Sequence, residues 1–331
     1  MQNFKASLII TIICLSIAYY WGNTTGALVA LILGVLEVSL SFDNAIVNAS
    51  VLKRMDEKWQ QYFLTWGVLV AVFGMRLIFP IAIVTFATGV DFLSVSEMAM
   101  HEPQIYAKHL ADAHVQIAAF GGMFLLMVFF SFIFDDEKEL HWLGYFEEKM
   151  SLCGKLESIE IIFSVFILLG LQNFLNQEDR LTALTSGIAG VILYVIVGSI
   201  SALFESEEEG EKVSDVIRRG SIMSFLYLEI LDASFSFDGV IGAFAITQDV
   251  VIIMLGLAIG AMFVRSMTIQ LVKSGTLSEY KYLEHGAFWA ILTLASIMFA
   301  STMVHIPEVI TGALSVAFIG LAFWSSVKAK D

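Results

Sequence analysis

Two short segments of this chain carry acidic side chains in the same order within long apolar runs. Residues 37–46 read Glu-Val-Ser-Leu-Ser-Phe-Asp-Asn-Ala-Ile, and residues 232–241 read Asp-Ala-Ser-Phe-Ser-Phe-Asp-Gly-Val-Ile. Acid, serine, serine, phenylalanine, aspartate and isoleucine recur at identical spacing, 195 residues apart. We call these segments the first and the second acidic motif.

A further match follows each motif and places an arginine in the next apolar run. Gly67 precedes Arg76 by nine residues, and Gly256 precedes Arg265 by nine residues. Because the two matches occur in the same order, they indicate an internal duplication.

The chemistry that these residues suggest is cation binding inside a membrane. An ionised carboxylate in an apolar span costs about 2.5–3.5 kcal/mol on insertion scales. Five acids lie in such runs, namely Glu37, Asp43, Glu229, Asp232 and Asp238. Against Arg76 and Arg265 they leave a formal charge of −3 when all are ionised, which a divalent cation or protons would offset. The alternative is a set of buried acid–arginine pairs that only hold helices together.

Oxygen atoms dominate the ligands that the motifs offer. Besides carboxylates there are amides at Asn44 and Asn48 and hydroxyls at Ser41 and Ser236, whereas no histidine lies well inside a span. Oxygen ligands suit Mg²⁺, Ca²⁺ or Mn²⁺ better than Zn²⁺ or Cu⁺.

Helical spacing limits how these groups act together. At about 100° per residue, Glu37, Ser41, Asn44 and Asn48 share one helix face, and so do Glu229, Asp232 and Ser236. The second aspartate of each motif points about 120° away and lies about 9 Å further along the axis. Ligand–ion distances are only about 2.0–2.6 Å. Either each helix unwinds at its Ser-Phe-Asp step, or there are two sites.

Composition places the motifs in an all-α, polytopic membrane protein. Of 331 residues, 58% are hydrophobic and 15% are charged, with a mean hydropathy of +0.80. Soluble domains carry about 25% charged residues, and outer-membrane barrels alternate apolar and polar residues. About ten transmembrane helices are predicted, at 5–22, 24–50, 63–89, 114–134, 158–175, 181–204, 220–246, 249–271, 285–304 and 307–326.

The loops between these spans predict the orientation. Fourteen lysines and arginines fall on the side that receives both termini, against two on the other side, so we expect cytoplasmic termini in a bacterial inner membrane. A repeat of five helices ends on the opposite side of the membrane from where it begins, so a second copy of it crosses the membrane in the opposite orientation. We therefore predict two inverted five-helix repeats, as in many transporters. We predict one transmembrane domain over 1–331, with repeat one at about 1–177 and repeat two at about 178–331.

The remaining polar features favour ordinary roles. Most of the formal charge of −14 comes from acids in loops 135–157 and 205–211, which predict solvated surfaces, with a cation-concentrating pore mouth as the alternative. Segment 97–114 carries acids and three histidines and predicts an amphipathic surface segment, with an external metal site as the weaker alternative. Cys14 and Cys153 lack metal or redox spacing.

The motifs resemble those of the TerC family of integral membrane proteins, named for tellurite resistance. The family motif Glu-x-x-Leu-Ser-x-Asp-Asn is matched by Glu37, Leu40, Ser41, Asp43 and Asn44, and Glu-x-x-Asp-x-x-Phe-Ala-x-Asp-Ser by Glu229, Asp232, Phe235 and Asp238. Ser236 and Gly239 replace the alanine and the last serine. These departures suggest a divergent branch, long known only as a domain of unknown function.

This resemblance implies export of a divalent cation, Mn²⁺ or alternatively Ca²⁺, and a more distant likeness to the LysE exporters. The implied ligands are Glu37, Asp43, Asn44, Glu229, Asp232 and Asp238, with Ser41, Asn48, Ser236, Arg76 and Arg265 as supporting residues. The expected partners are the cation and the lipid bilayer, with no organic cofactor and no nucleic acid.

Two other functions fit parts of the pattern. Asp43 and Asp238, one in each half, would suit an intramembrane aspartyl protease, but the Gly-x-Gly-Asp context of such proteases is absent, so we expect no enzyme. The main alternative to transport is a scaffold or sensor in a metal- or tellurite-stress complex.

Overall fold

The computed structural model describes residues 4–53, 55–206, 213–304 and 306–329, which form helices and turns and contain no strand. The helices are α1 Lys5–Leu40, α2 Phe42–Leu52, α3 Glu57–Leu69, α4 Phe79–Thr88, α5 Phe92–His101, α6 Pro103–Asp112, α7 His114–Ile133, α8 Tyr145–Cys153, α9 Ile159–Leu171, α10 Gln177–Ser206, α11 Val213–Ile246, α12 Val250–Ser274, α13 Thr276–Glu279, α14 Leu283–Ser301 and α15 Glu308–Lys328. A π-helical segment, Val70–Ile78, joins α3 to α4. The all-α prediction is confirmed.

Seven helical stretches in the described ranges are long and apolar enough to cross a membrane, which indicates a multi-pass membrane protein. They are Lys5–Leu40, Glu57–Phe86, His114–Ile133, Gln177–Ser199, Val250–Ser274, Leu283–Ser301 and Ile310–Lys328. A further apolar helix, α9, is shorter, with 13 residues. The count of ten spans and their inverted arrangement stay predictions.

Helix α1 has a kink where the first two predicted spans meet. Gly22 and Asn23 have non-helical backbone angles, with a φ of 55° at Asn23. A straight helix of 36 residues would be about 54 Å long, far beyond a hydrocarbon core of about 30 Å. The kink therefore divides α1 into two arms, and the second arm leads into the first acidic motif.

The two acidic motifs differ in backbone continuity. In the first motif α1 ends at Leu40 and α2 begins at Phe42, with φ −103° and ψ 24° at Ser41 between them. In the second motif α11 runs without interruption from Val213 to Ile246. Unwinding at the Ser-Phe-Asp step, one of the two alternatives left open by the sequence, is therefore present in the first motif and absent from the second.

Contacts between helices divide the chain into two compact units. The first unit is built from segments 1–114 and 209–274, and the second from segments 115–208 and 275–331. Each unit thus takes residues from both halves of the chain. Both acidic motifs belong to the first unit, and the acidic loop 135–157 belongs to the second.

In the first unit α1 packs along α12 at small residues. A side-chain carbon on Gly34 would lie 3.2 Å from the carbonyl oxygen of Gly256, an approach typical of closely packed membrane helices. The buried Ser7 hydroxyl donates to the Met262 carbonyl at 2.9 Å and lies 2.6 Å from the Ser266 hydroxyl. The Ser7 contacts hold the first arm of α1 against α12, and the close approach at Gly34 holds the second arm against it.

An apolar cluster completes this packing and contains one of the two cysteines. Its buried members are Cys14, Ala18, Ala30, Ile252, Leu255, Ala258 and Ile259. Cys14 is therefore a core residue, in agreement with its lack of metal or redox spacing.

The second unit also has glycines at close helix contacts. A side-chain carbon at Gly187 would lie 2.6 Å from Leu168, and one at Gly286 would lie 2.5 Å from Ala322. These positions bring α10 against α9 and α14 against α15. Helix α14 carries His285 and Trp289, which reach the acidic loop described below.

Candidate functional site

The break in the first motif separates its two acids onto different helices. Glu37 lies in the last turn of α1, and Asp43 lies in the first turn of α2, where its Oδ1 accepts a hydrogen bond from the Asn44 backbone N–H at 2.9 Å. The position favours an anion, because the N-terminus of a helix carries a partial positive charge. Glu37 and Asp43 are each 3% exposed, so neither carboxylate is compensated by bulk solvent.

Arg76 joins the equivalent acids of the two motifs. Its Nη2 donates to Glu37 Oε1 at 2.7 Å, and its Nη1 donates to Asp232 Oδ2 at 3.3 Å. Arg76 lies in the π-helical segment, and such turns occur frequently at functional sites. The arginine therefore connects three parts of the chain that are far apart in sequence.

Arg265 holds the third described acid of the cluster. Its Nη2 lies 3.0 Å from both carboxylate oxygens of Glu229 and 3.8 Å from Asp232 Oδ2. Its Nη1 donates to the Phe63 carbonyl at 2.7 Å, and its guanidinium carbon lies 4.1 Å from the Phe63 ring centroid. Asp232 therefore lies between the two arginines.

Two asparagine amides on α2 extend the cluster. Asn44 Nδ2 donates to Asp232 Oδ1 at 2.9 Å. Within the described residues, the buried side-chain oxygens of Asn44 and Asn48 accept no hydrogen bond. A buried polar atom without a partner costs about 1–3 kcal/mol, so two such oxygens one helical turn apart require an explanation.

Two glycines leave the space that the carboxylates of Glu229 and Glu37 occupy. A side-chain carbon at Gly67 would lie 2.6 Å from Glu229 Oε1, and one at Gly239 would lie 2.7 Å from Glu37 Oε2. Gly67 therefore has a packing role beyond marking the duplication. At position 239 the space that a serine side chain would take is occupied by the Glu37 carboxylate.

Most of the predicted site residues converge in the first unit. Buried and in contact are Glu37, Asn44, Arg76, Glu229, Asp232 and Arg265, while Asp43 and Asn48 are buried beside Asn44 on α2. Ser41 lies at the break and is half-buried. Asp238 and Ser236 lie on α11, and their side chains are outside the described part of the structure.

The described acids also exceed the arginines in number. Three carboxylates, from Glu37, Glu229 and Asp232, contact the two guanidinium groups, which leaves a formal charge of −1 when all are ionised. Among the described residues, no group of three or more His, Cys, Asp and Glu side chains has the geometry of a metal site. In this arrangement Glu37, Glu229 and Asp232 are all in contact with arginines.

Segment 97–114, predicted to be an amphipathic surface segment, contains the end of α5 and all of α6, two short helices that each bury one apolar face. Helix α5 buries Val95 and Ala99, and α6 buries Tyr106 and Leu110. No metal cluster occurs among the described residues of this segment, which gives no support to the weaker alternative.

The prediction of a fully solvated loop 135–157 is wrong for one acid. Glu147 is 0% exposed. Its Oε2 accepts from the Trp142 backbone N–H at 2.9 Å, and its Oε1 accepts from Trp289 Nε1 at 3.0 Å. Lys138 Nζ lies 3.7 Å and His285 Nε2 lies 3.4 Å from Oε2. No sequence signal separates Glu147 from its exposed neighbours, because its burial depends on α14.

Lys138 contributes to the contacts around Glu147 by folding back over the loop. Its ammonium lies 4.3 Å from the Phe132 ring centroid and donates to the Phe132 carbonyl at 3.3 Å. Burial lowers the pKa of Lys138, while the charge of Glu147 opposes that shift. The ammonium is therefore held by the carboxylate it compensates.

Comparison with known families identifies the chain at the level of a family. A family model described as "Protein of unknown function (DUF475)" matches residues 42–331, so the protein belongs to the DUF475 family. The match begins just after the break at Ser41 and includes both arginines. No curated protein and no solved structure gives a significant match.

Proposed function

We propose that this protein transports a divalent cation, Mn²⁺ or alternatively Ca²⁺, across a membrane. The observation that carries the proposal is the convergence of Glu37 and Asp232 on Arg76 within apolar helices, with the Asn44 amide donating to Asp232. Ionisable side chains inside a membrane usually mark an ion or proton path. The full proposed ligand set is Glu37, Asp43, Asn44, Glu229, Asp232 and Asp238.

The excess of oxygen ligands favours a cation site over a purely structural cluster. Two arginines need two carboxylates for neutrality, whereas three described acids contact them. The side-chain oxygens of Asn44 and Asn48, which accept no hydrogen bond among the described residues, have no function in a cluster that only holds helices together. A cation would use both the excess charge and the vacant oxygens.

The choice of Mn²⁺ rests on the ligand type and on the resemblance to TerC. Carboxylate and amide oxygens suit Mn²⁺ and Ca²⁺, and the TerC motifs imply export. The proposal includes ten spans in two inverted repeats, cytoplasmic termini in a bacterial inner membrane, and alternating access to the site. Carboxylates would exchange the cation for protons.

The second candidate function is a membrane scaffold or sensor in a stress-resistance complex. It is favoured by the arginine contacts of Glu37, Glu229 and Asp232, since buried ion pairs of this kind can serve helix packing alone. Transport and scaffolding differ in whether cations cross the membrane when the protein is the sole protein present.

The test is Mn²⁺ flux into proteoliposomes that contain the purified protein. Glu37→Gln and Asp232→Asn should each lower the initial rate by about 10–100-fold, the effect of disturbing a metal's ligand shell. The control is Glu178→Gln, since Glu178 is exposed at the start of α10. Flux that is absent from the wild type, or unchanged in both site variants, would contradict the proposal.

A further inference from the structure

We propose that Arg76 and Arg265 have different roles at this site. Arg76 is a tethered counter-ion that leaves Glu37 and Asp232 when a divalent cation binds, and Arg265 stays in place in both states. This inference rests on the proposed function, because it assigns the group that competes with the transported cation.

Arg265 is fixed by contacts beyond its acid partner. Its guanidinium lies against Glu229, the Phe63 carbonyl and the face of the Phe63 ring. Gly67 brings α3 close enough that any added side-chain carbon would meet the Arg265–Glu229 pair. Movement of Arg265 would break a charged pair, a carbonyl hydrogen bond and a cation–π contact together. We therefore assign the exchange with the cation to Arg76.

Arg76 lies on backbone suited to a local change. Its segment, Val70–Ile78, is π-helical between two α-helices, whereas Arg265 lies in the α-helical α12. Return of the π segment to α-helical pairing shifts the register by one residue and turns a side chain by about 100°. Such a turn would carry the guanidinium away from the carboxylates without unfolding the span.

The contacts of Arg76 define what replaces it. Its two terminal nitrogens lie 2.7 Å from Glu37 Oε1 and 3.3 Å from Asp232 Oδ2, so its departure leaves two buried carboxylates facing one another. A divalent cation between them would restore the charge balance. The Asn44 amide, already bonded to Asp232 Oδ1, carries a vacant oxygen beside that position.

The exchange predicts opposite effects of two equivalent substitutions. In Arg76→Gln the competitor is lost, so the apparent Kd for Mn²⁺ should fall by about 5–150-fold, the usual range for coupled sites. Arg265→Gln should not tighten binding, and added Mn²⁺ should not restore its lowered Tm. The measurement is the Mn²⁺-dependent Tm of the full chain in detergent micelles. Arg180→Gln is the control, because Arg180 is exposed and donates to the Leu175 carbonyl.

A second probe tests whether the vacated position accepts the lost group. Millimolar guanidinium chloride, far below denaturing concentrations, should raise the Tm of Arg76→Gln and weaken its Mn²⁺ binding by competition. It should do neither in Arg180→Gln. If Arg76→Gln does not fold, Arg76→Lys should bind Mn²⁺ more tightly than the wild type, because a lysine ammonium lacks the planar fork that can contact two carboxylates at once.

Each outcome bears on one of the two proposals. Mn²⁺ affinity that is unchanged or weaker in Arg76→Gln, or in Arg76→Lys where only that variant folds, would overturn the exchange. Tighter binding to Arg76→Gln without any flux through the wild type would support the exchange and overturn transport. Flux through the wild type without tighter binding in either variant would overturn the exchange alone.

Discussion

The two units bury carboxylates in opposite ways. In the second unit one acid, Glu147, accepts hydrogen bonds from a backbone amide and an indole, and an ammonium lies 3.7 Å from it. In the first unit three acids contact two arginines, and two amide oxygens remain without hydrogen bonds among the described residues. In the second unit each carboxylate oxygen of Glu147 accepts a hydrogen bond, whereas the cluster in the first unit has more acceptors than its described donors use.

Under the proposed function, this difference separates a structural contact at Glu147 from a ligand site in the first unit. Glu147 ties the loop that contains it to α14, and its oxygens are already occupied by the surrounding donors. The first cluster holds negative charge and oxygen atoms that its own arginines do not use up. A buried carboxylate therefore indicates a ligand site only when its neighbours leave it uncompensated.

The largest expected effect is on the stability of the second unit. Glu147→Leu removes the partner of the buried Lys138 ammonium, and breaking a buried pair in this way costs about 3–5 kcal/mol. Equilibrium unfolding in mixed micelles would measure the loss, and Mn²⁺ should not reduce it. The exposed neighbour gives the control, Glu148→Gln, which should stay within about 0.5 kcal/mol of the wild type. Equal stability of the two variants would mean that Glu147 does not stabilise the attachment of its loop to α14.

In the first unit, Asp232→Asn should cost less stability and more function. Asp232 accepts from Arg76 and Asn44, and hydrogen bonds to charged groups contribute about 1.5–3 kcal/mol. We expect a loss in that range, together with loss of the Mn²⁺-dependent rise in Tm. A variant that kept the full Mn²⁺ response would remove Asp232 from the ligand set.

Gly67→Ala should disturb the Arg265–Glu229 pair by overpacking. The added carbon would lie 2.6 Å from Glu229 Oε1, and such insertions cost about 1–3 kcal/mol. The matched control is Gly74→Ala in the adjoining π segment, where the nearest atom to the added carbon is a Val70 methyl group at 3.4 Å. If both substitutions have the same effect on unfolding, the crowding at Gly67 is not energetically important.

The smallest effect on stability is expected for Asn48→Ala. The Asn48 side-chain oxygen accepts no hydrogen bond among the described residues, so truncation should change the free energy of unfolding by less than about 1 kcal/mol. The apparent Kd for Mn²⁺ should nevertheless rise. Unchanged Mn²⁺ affinity would exclude the Asn48 oxygen as a ligand. The cluster in the first unit would then resemble the Glu147 cluster of the second unit.

Several features of the fold could be predicted from local sequence. Long apolar runs are sufficient for the all-α, membrane-spanning class, because a bilayer requires hydrogen-bonded helices of about 20 residues. The Gly22-Asn23 step marks the kink in α1, since asparagine tolerates positive φ. The mixture of apolar and polar residues in 97–114 predicts an amphipathic surface segment. The acids of the two motifs stand out because charge is rare in such runs.

Other features depend on contacts between distant parts of the chain. Arg76 contacts Asp232, 156 residues away, and Glu147 is buried by Trp289, 142 residues away. Nothing local distinguishes Glu147 from the exposed acids beside it, and nothing local predicts the π segment or the different continuity of the two motifs.

The sequence by itself thus determined which charges enter the apolar part of the protein, because hydrophobicity and duplication are properties of local residue order. Only the tertiary structure decided which charges compensate one another. Compensation requires atoms within about 3–4 Å of each other, and packing between distant helices sets those distances.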